Sequence, residues 1–214
     1  MKYKYAIFDF DGTVADTGEG VIACVMYAME SFGIEIPSEE KLMKFLGPPL
    51  VVSFLEYTGG DMKKAEEMTE KYRELYSDNA MYLVKLFDGM RELLRKLKKA
   101  GIKIGIASSK PQIYIYRLLN YLDIAEYFDA VCGESTDDKG NGKKELILRA
   151  CELLGVNDKK EAVMIGDRHY DIDGAKEAGT DSIGVTFGFG NEKELKEAGA
   201  TFIASAPEEI IEYI

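Results

Sequence analysis

Hydrophobic positions follow two different patterns along the chain. From Tyr5 to Phe10 the residues are mostly apolar β-formers, and Asp11 and Gly12 end the run. This arrangement predicts a buried strand followed by a sharp turn. Between about residues 17 and 87, apolar residues recur every three or four positions, which is the spacing of amphipathic helices. The pattern in this segment predicts helices and no strands.

From Asp88 onward, helical and strand-like segments alternate, with Asp88 expected to cap the first of these helices. The strands expected in this part of the chain are Ile102–Ala107, Ala130–Cys132, Ala162–Ile165, Ser182–Thr186 and Phe202–Ala204. Apolar strands that alternate with helices predict a parallel sheet covered by helices on both faces.

The first strand must belong to the same sheet, because a lone buried strand leaves its backbone groups without partners. We therefore expect an α/β fold with a discontinuous core domain. The core would comprise residues 1–16 and 88–214, and an all-helical domain of residues 17–87 would be inserted after the first strand.

Composition narrows the classes of function. The 214 residues are 46% hydrophobic, which is enough for a full core, and the formal net charge is -11. An acidic protein of this kind is a poor non-specific binder of nucleic acid. The same charge would repel an anionic substrate, so a phosphate ester could bind only where a cation and local donors reverse the field.

Other features exclude further chemistries. His169 is the single histidine, and Cys24, Cys132 and Cys151 form no CxxC pair, so zinc sites and disulfide frameworks are not expected. Apolar runs are too short to span a membrane, and the first residues do not resemble a secretion signal. We expect a cytoplasmic protein with no membrane partner.

Polar side chains gather where the predicted strands end. In open α/β sheets, ligands bind beyond the carboxyl ends of the strands, so these residues are candidates for a site. They are Asp9, Asp11, Gly12 and Thr13 after the first strand, Ser108, Ser109 and Lys110 after the second, and Gly166, Asp167, Arg168 and Asp171 after the strand at Ala162–Ile165.

Four carboxylates at one edge repel one another unless a cation is present. Oxygen ligands without nearby histidine or cysteine favour a hard ion, and a few carboxylates with room for phosphate suit Mg²⁺. The turn at Gly12 and Thr13 can aim backbone N–H groups at phosphate oxygens, and Lys143 can neutralise the same oxygens. Lys144 is an adjacent rival to Lys143.

Together these segments resemble the four motifs of the haloacid dehalogenase superfamily. The matching residues are Asp9–Thr13, then Ser108, then Lys143, then Gly166–Asp171. The insert is similar to the helical cap of the phosphoglycolate phosphatase and beta-phosphoglucomutase-like branch. The resemblance implies a Rossmann-like three-layer core with a helical cap domain, and a magnesium-dependent phosphatase acting on a small phosphorylated metabolite.

The resemblance also implies residue roles. Asp9 would be the nucleophile that forms an aspartyl phosphate, and Asp11 would act as general acid and base. Asp9, Asp167 and the backbone carbonyl of Asp11 would hold Mg²⁺, with Asp171 supporting them directly or through water. The phosphoryl group would be bound by a further set of residues: Gly12, Thr13, Ser108, Ser109 and Lys143.

Several residues outside the acidic cluster have more than one possible role. Ser109 and Lys110 could be loop residues or could contact the phosphate or the cap. Arg168 could pair with Asp171 or with the cap, or it could contact the substrate. Gly47 and Pro48 could be a helix breaker or a specificity loop. The leading function is phosphoglycolate phosphatase-like hydrolysis; the alternatives are a 5'-nucleotidase, a pyrophosphatase, a phosphosugar mutase and a non-catalytic binding protein. The chain could be a monomer or a homodimer.

Overall fold

The fold is described by a computed structural model that covers residues 2–135 and 142–214. The chain divides into two compact units. The first unit comprises Met1–Asp16 and Lys85–Ile214, and the second unit comprises Thr17–Val84.

The first unit contains a parallel sheet with strand order β5-β4-β1-β6-β7-β8. A separate antiparallel pair, β2 and β3, lies where the chain leaves and re-enters this unit. The strands are β1 (Tyr5–Phe8), β2 (Ala15–Asp16), β3 (Lys85–Leu86), β4 (Lys103–Pro111), β5 (Ala130–Glu134), β6 (Ala162–Gly166), β7 (Asp181–Val185) and β8 (Phe202–Ala204).

Helices connect the strands of the sheet and make up the regular structure of the second unit, which holds α1 to α4. The α-helices are α1 (Gly18–Ser31), α2 (Glu39–Met43), α3 (Leu50–Leu55), α4 (Met62–Asp78), α5 (Met90–Lys99), α6 (Gln112–Tyr121), α7 (Gly142–Leu154), α8 (His169–Ala178), α9 (Glu192–Ala198) and α10 (Ile210–Tyr213). None of the described helices combines the length and apolar character that a membrane crossing requires.

The predicted α/β class with a parallel sheet is confirmed, and β1 lies inside the sheet between β4 and β6. Tyr5 is in register with Lys103 on one side and with Ala162 on the other. Ile7 and Phe8 are fully buried, and burial of each such side chain contributes roughly 1.5–3 kcal/mol. The strand that carries the first motif is thus anchored on both edges and both faces.

Strand β4 is longer than predicted. The expected strand ended at Ala107, whereas β4 runs to Pro111 with a register irregularity between Ser108 and Pro111. Ser108, Ser109 and Lys110 therefore belong to the irregular end of the strand rather than to a loop after it. Such irregularities re-aim side chains at the end of a strand.

Two boundaries also differ from the prediction. Helix α5 has Gly89 at its N-cap, with φ +83°, in place of the expected Asp88. The chain re-enters the first unit at Lys85, three residues before the predicted position 88, because Lys85 and Leu86 pair with Asp16 and Ala15. That the second unit acts as a cap stays a prediction.

Gly20 in α1 lies very close to another segment of the second unit. A Cβ atom at Gly20 would lie 2.2 Å from the backbone oxygen of Ala80. Real Cβ atoms do not approach a carbonyl oxygen so closely, so the contact requires glycine here even though alanine has the higher helix propensity.

We expect Gly20→Ala to lower the free energy of unfolding by roughly 1–3 kcal/mol, because overpacking against backbone outweighs a propensity gain of about 1 kcal/mol. Urea denaturation measures the change. The control is Glu19→Ala at the exposed neighbouring position, which should stay within about 0.5 kcal/mol of the parent protein. Equal stability of the two variants would contradict the close packing of α1 on Ala80.

Candidate active site

The carboxyl ends of β1 and β6 place two aspartates side by side. Asp9 directly follows β1, and Asp167 directly follows β6. The two strands are neighbours in parallel register, with Phe8 opposite Ile165. The backbone N–H of Asp9 donates to the Ile165 carbonyl at 2.9 Å, which continues the pairing to the base of the site.

Asp171, in the first turn of α8, completes an acidic cluster. One carboxylate oxygen each from Asp9, Asp167 and Asp171 lies within 4.8 Å of the others. Asp167 and Asp171 are fully buried. Among the described residues, these three form the one acidic group with ligand atoms close enough to share a metal ion.

Protein donors hold Asp167 firmly. The Thr13 hydroxyl donates to its Oδ1 at 3.2 Å, and the Phe189 backbone N–H donates to its Oδ2 at 2.8 Å. A Cβ atom at Gly12 would lie 2.3 Å from Asp167 Oδ2, so only glycine admits the carboxylate at this distance. Gly12, in the turn after β1, thus helps to fix the position of Asp167, which lies more than 150 residues later in the chain.

Asp171 is held by the chain that precedes it. The backbone N–H of Arg168 donates to Oδ2 of Asp171 at 3.0 Å. A Cβ atom at Gly166 would lie 2.1 Å from the Asp171 carboxyl carbon. Glycine at the end of β6 is therefore needed for the Asp171 side chain to turn back toward the sheet.

Lys143, in the first turn of α7, links the acidic residues. Its ammonium lies 3.0 Å from Asp9 Oδ2 and 2.7 Å from Asp171 Oδ1, and it donates to the Ala107 carbonyl at 3.3 Å. Its side chain is only 7% exposed. Of the two adjacent lysines, Lys143 is thus the one in contact with Asp9.

The pKa values follow from this burial and charge. Burial alone would lower the pKa of Lys143, but pairing with Asp171 and Asp9 outweighs it and raises that pKa above its usual range. Burial raises the pKa of Asp9 in spite of the Lys143 charge. Burial, followed by repulsion from Asp171 and Asp9, raises the pKa of Asp167 to about 8.

In the part of the chain that the structure describes, the site has three acidic side chains close to one ammonium and is short of positive charge. Its donor set consists of carboxylate oxygens, which fits a hard divalent cation and does not fit zinc or a soft metal. A divalent cation here would remove the repulsion that raises the pKa of Asp167. The residues present thus fit the predicted Mg²⁺.

The Asp11 carboxylate has a cation of its own at the end of β4. Its carboxylate forms an ion pair with Lys110, whose Nζ lies 2.9 Å from Oδ1 and 2.8 Å from Oδ2. The Lys110 side chain is 5% exposed and that of Asp11 is 25% exposed. The Asp11 carboxylate does not belong to the group of three described aspartates whose ligand atoms lie within 4.8 Å of one another, and convergence of all four carboxylates stays a prediction. Metal binding through the Asp11 backbone carbonyl stays a prediction.

The predicted phosphate contacts lie around the same strand ends. The Gly12 N–H donates to the Ala15 carbonyl at 2.9 Å and the Thr13 N–H donates to the Phe10 carbonyl at 3.3 Å, so the turn itself uses both donors. The Ser108 side chain is buried and hydrogen-bonds to Asp9, and Ser109 is half-buried. Phosphate binding by these residues stays a prediction.

The guanidinium of Arg168 pairs with Glu194. Its Nε donates to Glu194 Oε1 at 3.0 Å, and the His169 backbone N–H donates to the same oxygen at 2.9 Å. Glu194 in α9 therefore fixes the start of α8. The sequence signal for Glu194 was only a helix-start pattern after Asn191, whose side chain accepts from the Glu194 N–H.

Gly47 and Pro48 lie in the second unit, in the turn between α2 and α3. Gly47 has φ +114°, a conformation that favours glycine. This backbone requirement is sufficient to explain the residue, and a role for the turn in specificity stays a prediction.

Comparison with known proteins identifies the family of the chain. Residues 6–185 match the family model described as haloacid dehalogenase-like hydrolase. The chain belongs to this family. The predicted resemblance to the haloacid dehalogenase superfamily is thereby confirmed.

Several similar proteins have names that describe phosphate-ester or pyrophosphate hydrolysis. A 5'-nucleotidase from Pseudomonas aeruginosa is 35% identical over 92% of this chain and 88% of its own length. A pyrophosphatase, PpaX, from Bacillus cereus is 32% identical over 87% of this chain and 85% of its own length. A crystal structure described as a predicted phosphatase from Clostridium acetobutylicum aligns with TM-score 0.93 and 39% identity, covering 100% of this chain and 98% of that one. The predicted class, a haloacid dehalogenase-like phosphatase, is supported by all three.

The raised pKa of Asp167 makes the stability of the metal-free protein depend on pH. The pKa of Asp167 is 3.8 for the unperturbed group and about 8 in the folded protein. Between these two pH values the folded state keeps a proton that the unfolded state has lost. Stability from this group is complete below pH 3.8 and falls as the pH rises toward 8.

We expect the melting temperature of the metal-free protein in a chelator to fall between pH 5 and pH 8, and Asp167→Asn to fall less, because the amide carries no titrating proton. Thermal denaturation followed by circular dichroism measures both proteins. Asp173→Asn, at an exposed position of α8, is the control and should follow the parent curve. If the melting temperatures of the parent and of Asp167→Asn fell equally with pH, the raised pKa of Asp167 would be contradicted.

Proposed function

We propose that the protein hydrolyses a small phosphomonoester in the presence of Mg²⁺, with an aspartyl phosphate formed on Asp9 as the intermediate. The observation that carries the proposal is the position of Asp9, beside two buried aspartates and in contact with Lys143. The phosphatase names of the relatives support the same class of reaction.

In the first half-reaction, a carboxylate oxygen of Asp9 attacks the phosphorus atom of the ester. The bond between phosphorus and the ester oxygen breaks, and the leaving alkoxide takes a proton from Asp11. The products are an acyl phosphate on Asp9, the free alcohol and an ionised Asp11.

In the second half-reaction, water attacks the phosphorus atom of the acyl phosphate and gives a proton to Asp11. The bond between phosphorus and the Asp9 oxygen breaks, which releases inorganic phosphate and restores the Asp9 carboxylate. Asp11 ends protonated, as it began, so protons and electrons balance over one turnover.

Lys143 supports both half-reactions by placing positive charge beside the Asp9 oxygen. Phosphoryl transfer depends mainly on positioning and on neutralising charge at the phosphoryl oxygens. Asp9, Asp167 and Asp171 would hold Mg²⁺, which supplies further neutralisation of those oxygens when bound. Ser108, buried at the end of β4 and hydrogen-bonded to Asp9, is the proposed phosphate contact on the other side.

Nucleoside 5'-monophosphates are the substrate class that we propose to test first. The relative named 5'-nucleotidase is 35% identical and matches nearly the whole chain. Pyrophosphate and phosphoglycolate follow, because other similar proteins carry those names. A panel of these three classes, assayed for released phosphate with Mg²⁺, ranks them by kcat/KM.

We expect Asp9→Asn to lose at least roughly 10³-fold in kcat, because an amide cannot form the acyl phosphate. The parent protein, quenched in acid during turnover, should carry one phosphate that hydroxylamine removes, and Asp9→Asn should carry none. The measurements are phosphate release and intact-protein mass spectrometry. Asp173→Asn serves as the matched control and should keep full activity and the labile phosphate.

A chelator should abolish turnover, and added Mg²⁺ should restore it. Full activity of Asp9→Asn, or unchanged activity in the chelator, would contradict the proposal. A mutase in place of a hydrolase would return the phosphoryl group to another substrate oxygen, and would show as an isomeric product with little free phosphate.

A further inference from the structure

Lys110 is a buried lysine that the reaction outlined above does not use. Its ammonium contacts both carboxylate oxygens of Asp11, at 2.9 and 2.8 Å, although only 5% of its side chain is exposed. Lys110 and Asp11 are 99 residues apart in sequence, so the pair is produced by the fold.

The irregular end of β4 brings Lys110 to this position. Ser108 is in register with Gly133 of β5, but the next registered residue is Pro111, opposite Glu134, so Ser109 and Lys110 are extra residues on the β4 side. A Cβ atom at Gly133 would lie 2.6 Å from the Lys110 carbonyl oxygen. The absence of a side chain at Gly133 therefore allows the displaced backbone at Lys110.

A role as a simple counter-ion does not account for this arrangement. Asp11 is 25% exposed and water can reach it, whereas burying a lysine costs free energy unless it is well paired. An apolar side chain of similar length would fill the same space without that cost. Lys110 orients Asp11 in a way that an apolar side chain could not, because its contact with both oxygens fixes the plane of the Asp11 carboxylate.

We propose that Lys110 is a positioning residue that orients Asp11 for proton transfer in both half-reactions. The inference rests on the proposed function, in which Asp11 serves first as acid and then as base. Because Nζ reaches both oxygens, one can stay held while the other exchanges its proton with the leaving group or with water.

The test is a double-mutant cycle of Lys110→Met, Asp11→Asn and the two combined, in the full-length protein with Mg²⁺. Each is assayed with an alkyl phosphate, whose leaving group needs a proton, and with 4-nitrophenyl phosphate, whose leaving group does not. With the alkyl ester, we expect Lys110→Met to lower kcat about 10- to 100-fold with KM little changed, and Asp11→Asn to lower it about 10²- to 10⁴-fold.

Two results would support the positioning role. The combined variant should be no slower than Asp11→Asn, since a misplaced group cannot be lost twice. With 4-nitrophenyl phosphate, Lys110→Met should show a burst of nitrophenolate followed by slow turnover, because formation of the acyl phosphate is spared and its hydrolysis by water is not. A purely structural defect would slow both half-reactions and would produce no burst.

Lys110→Arg and Lys110→Gln keep the inference testable if Lys110→Met does not fold. A guanidinium can hold both carboxylate oxygens and should recover much of the lost kcat, whereas an amide can donate to one and should recover little. Lys98→Met is the matched control, since Lys98 pairs with Asp129 in the same unit and should leave kcat unchanged.

Some outcomes would overturn the inference. These are losses that multiply in the combined variant, an Arg variant no faster than the Gln variant, or a raised KM with unchanged kcat, which would make Lys110 a substrate contact. Failure of the proposed function is separate, and would show as a parent protein that hydrolyses no phosphomonoester or an Asp9→Asn variant that still forms the labile phosphate.

Discussion

The structure of the site depends on holding three carboxylates together against their mutual repulsion. Asp167 and Asp171 are fully buried and Asp9 adjoins them, and among residues 2–135 and 142–214 the cluster is paired with one ammonium, that of Lys143. The remaining support comes from neutral donors such as the Thr13 hydroxyl and the Phe189 N–H. This excess of carboxylates over cations among the described residues supports the proposal of a hard cation at the site.

The two lysines near the first motif have distinct electrostatic roles. Lys143 reaches the cluster from the start of α7 and offsets charge at Asp9, whereas Lys110 reaches Asp11 from the end of β4. Each of the two aspartates that follow β1 therefore has its own cation, although they are two residues apart. This division supports the proposal that the two neighbouring carboxylates have different roles, Asp9 as nucleophile and Asp11 as proton carrier.

The topology and the membership of the site could largely be predicted from the sequence, because apolar strand runs are local signals and strand ends in a parallel sheet meet at one edge. The directions in which the side chains point could not be predicted from the sequence. Lys110 was among the candidate residues, but its ion pair with Asp11 was not predicted, because the strand was taken to end at Ala107 and the irregular end of β4 sets the direction of this side chain. Glu194 was missed because its sequence context indicates a helix start, while its partners Arg168 and His169 lie about 25 positions earlier.

The short antiparallel pair of β2 and β3 places the two crossings between the units next to each other, with Asp16 opposite Lys85. Antiparallel neighbours in this arrangement can be joined by a tight turn of two residues. The two ends of the segment between β2 and β3 are therefore already close together, and that segment does not have to span any distance. Segments of very different length and composition could therefore occupy this point of the chain without changing the order of the strands in the sheet.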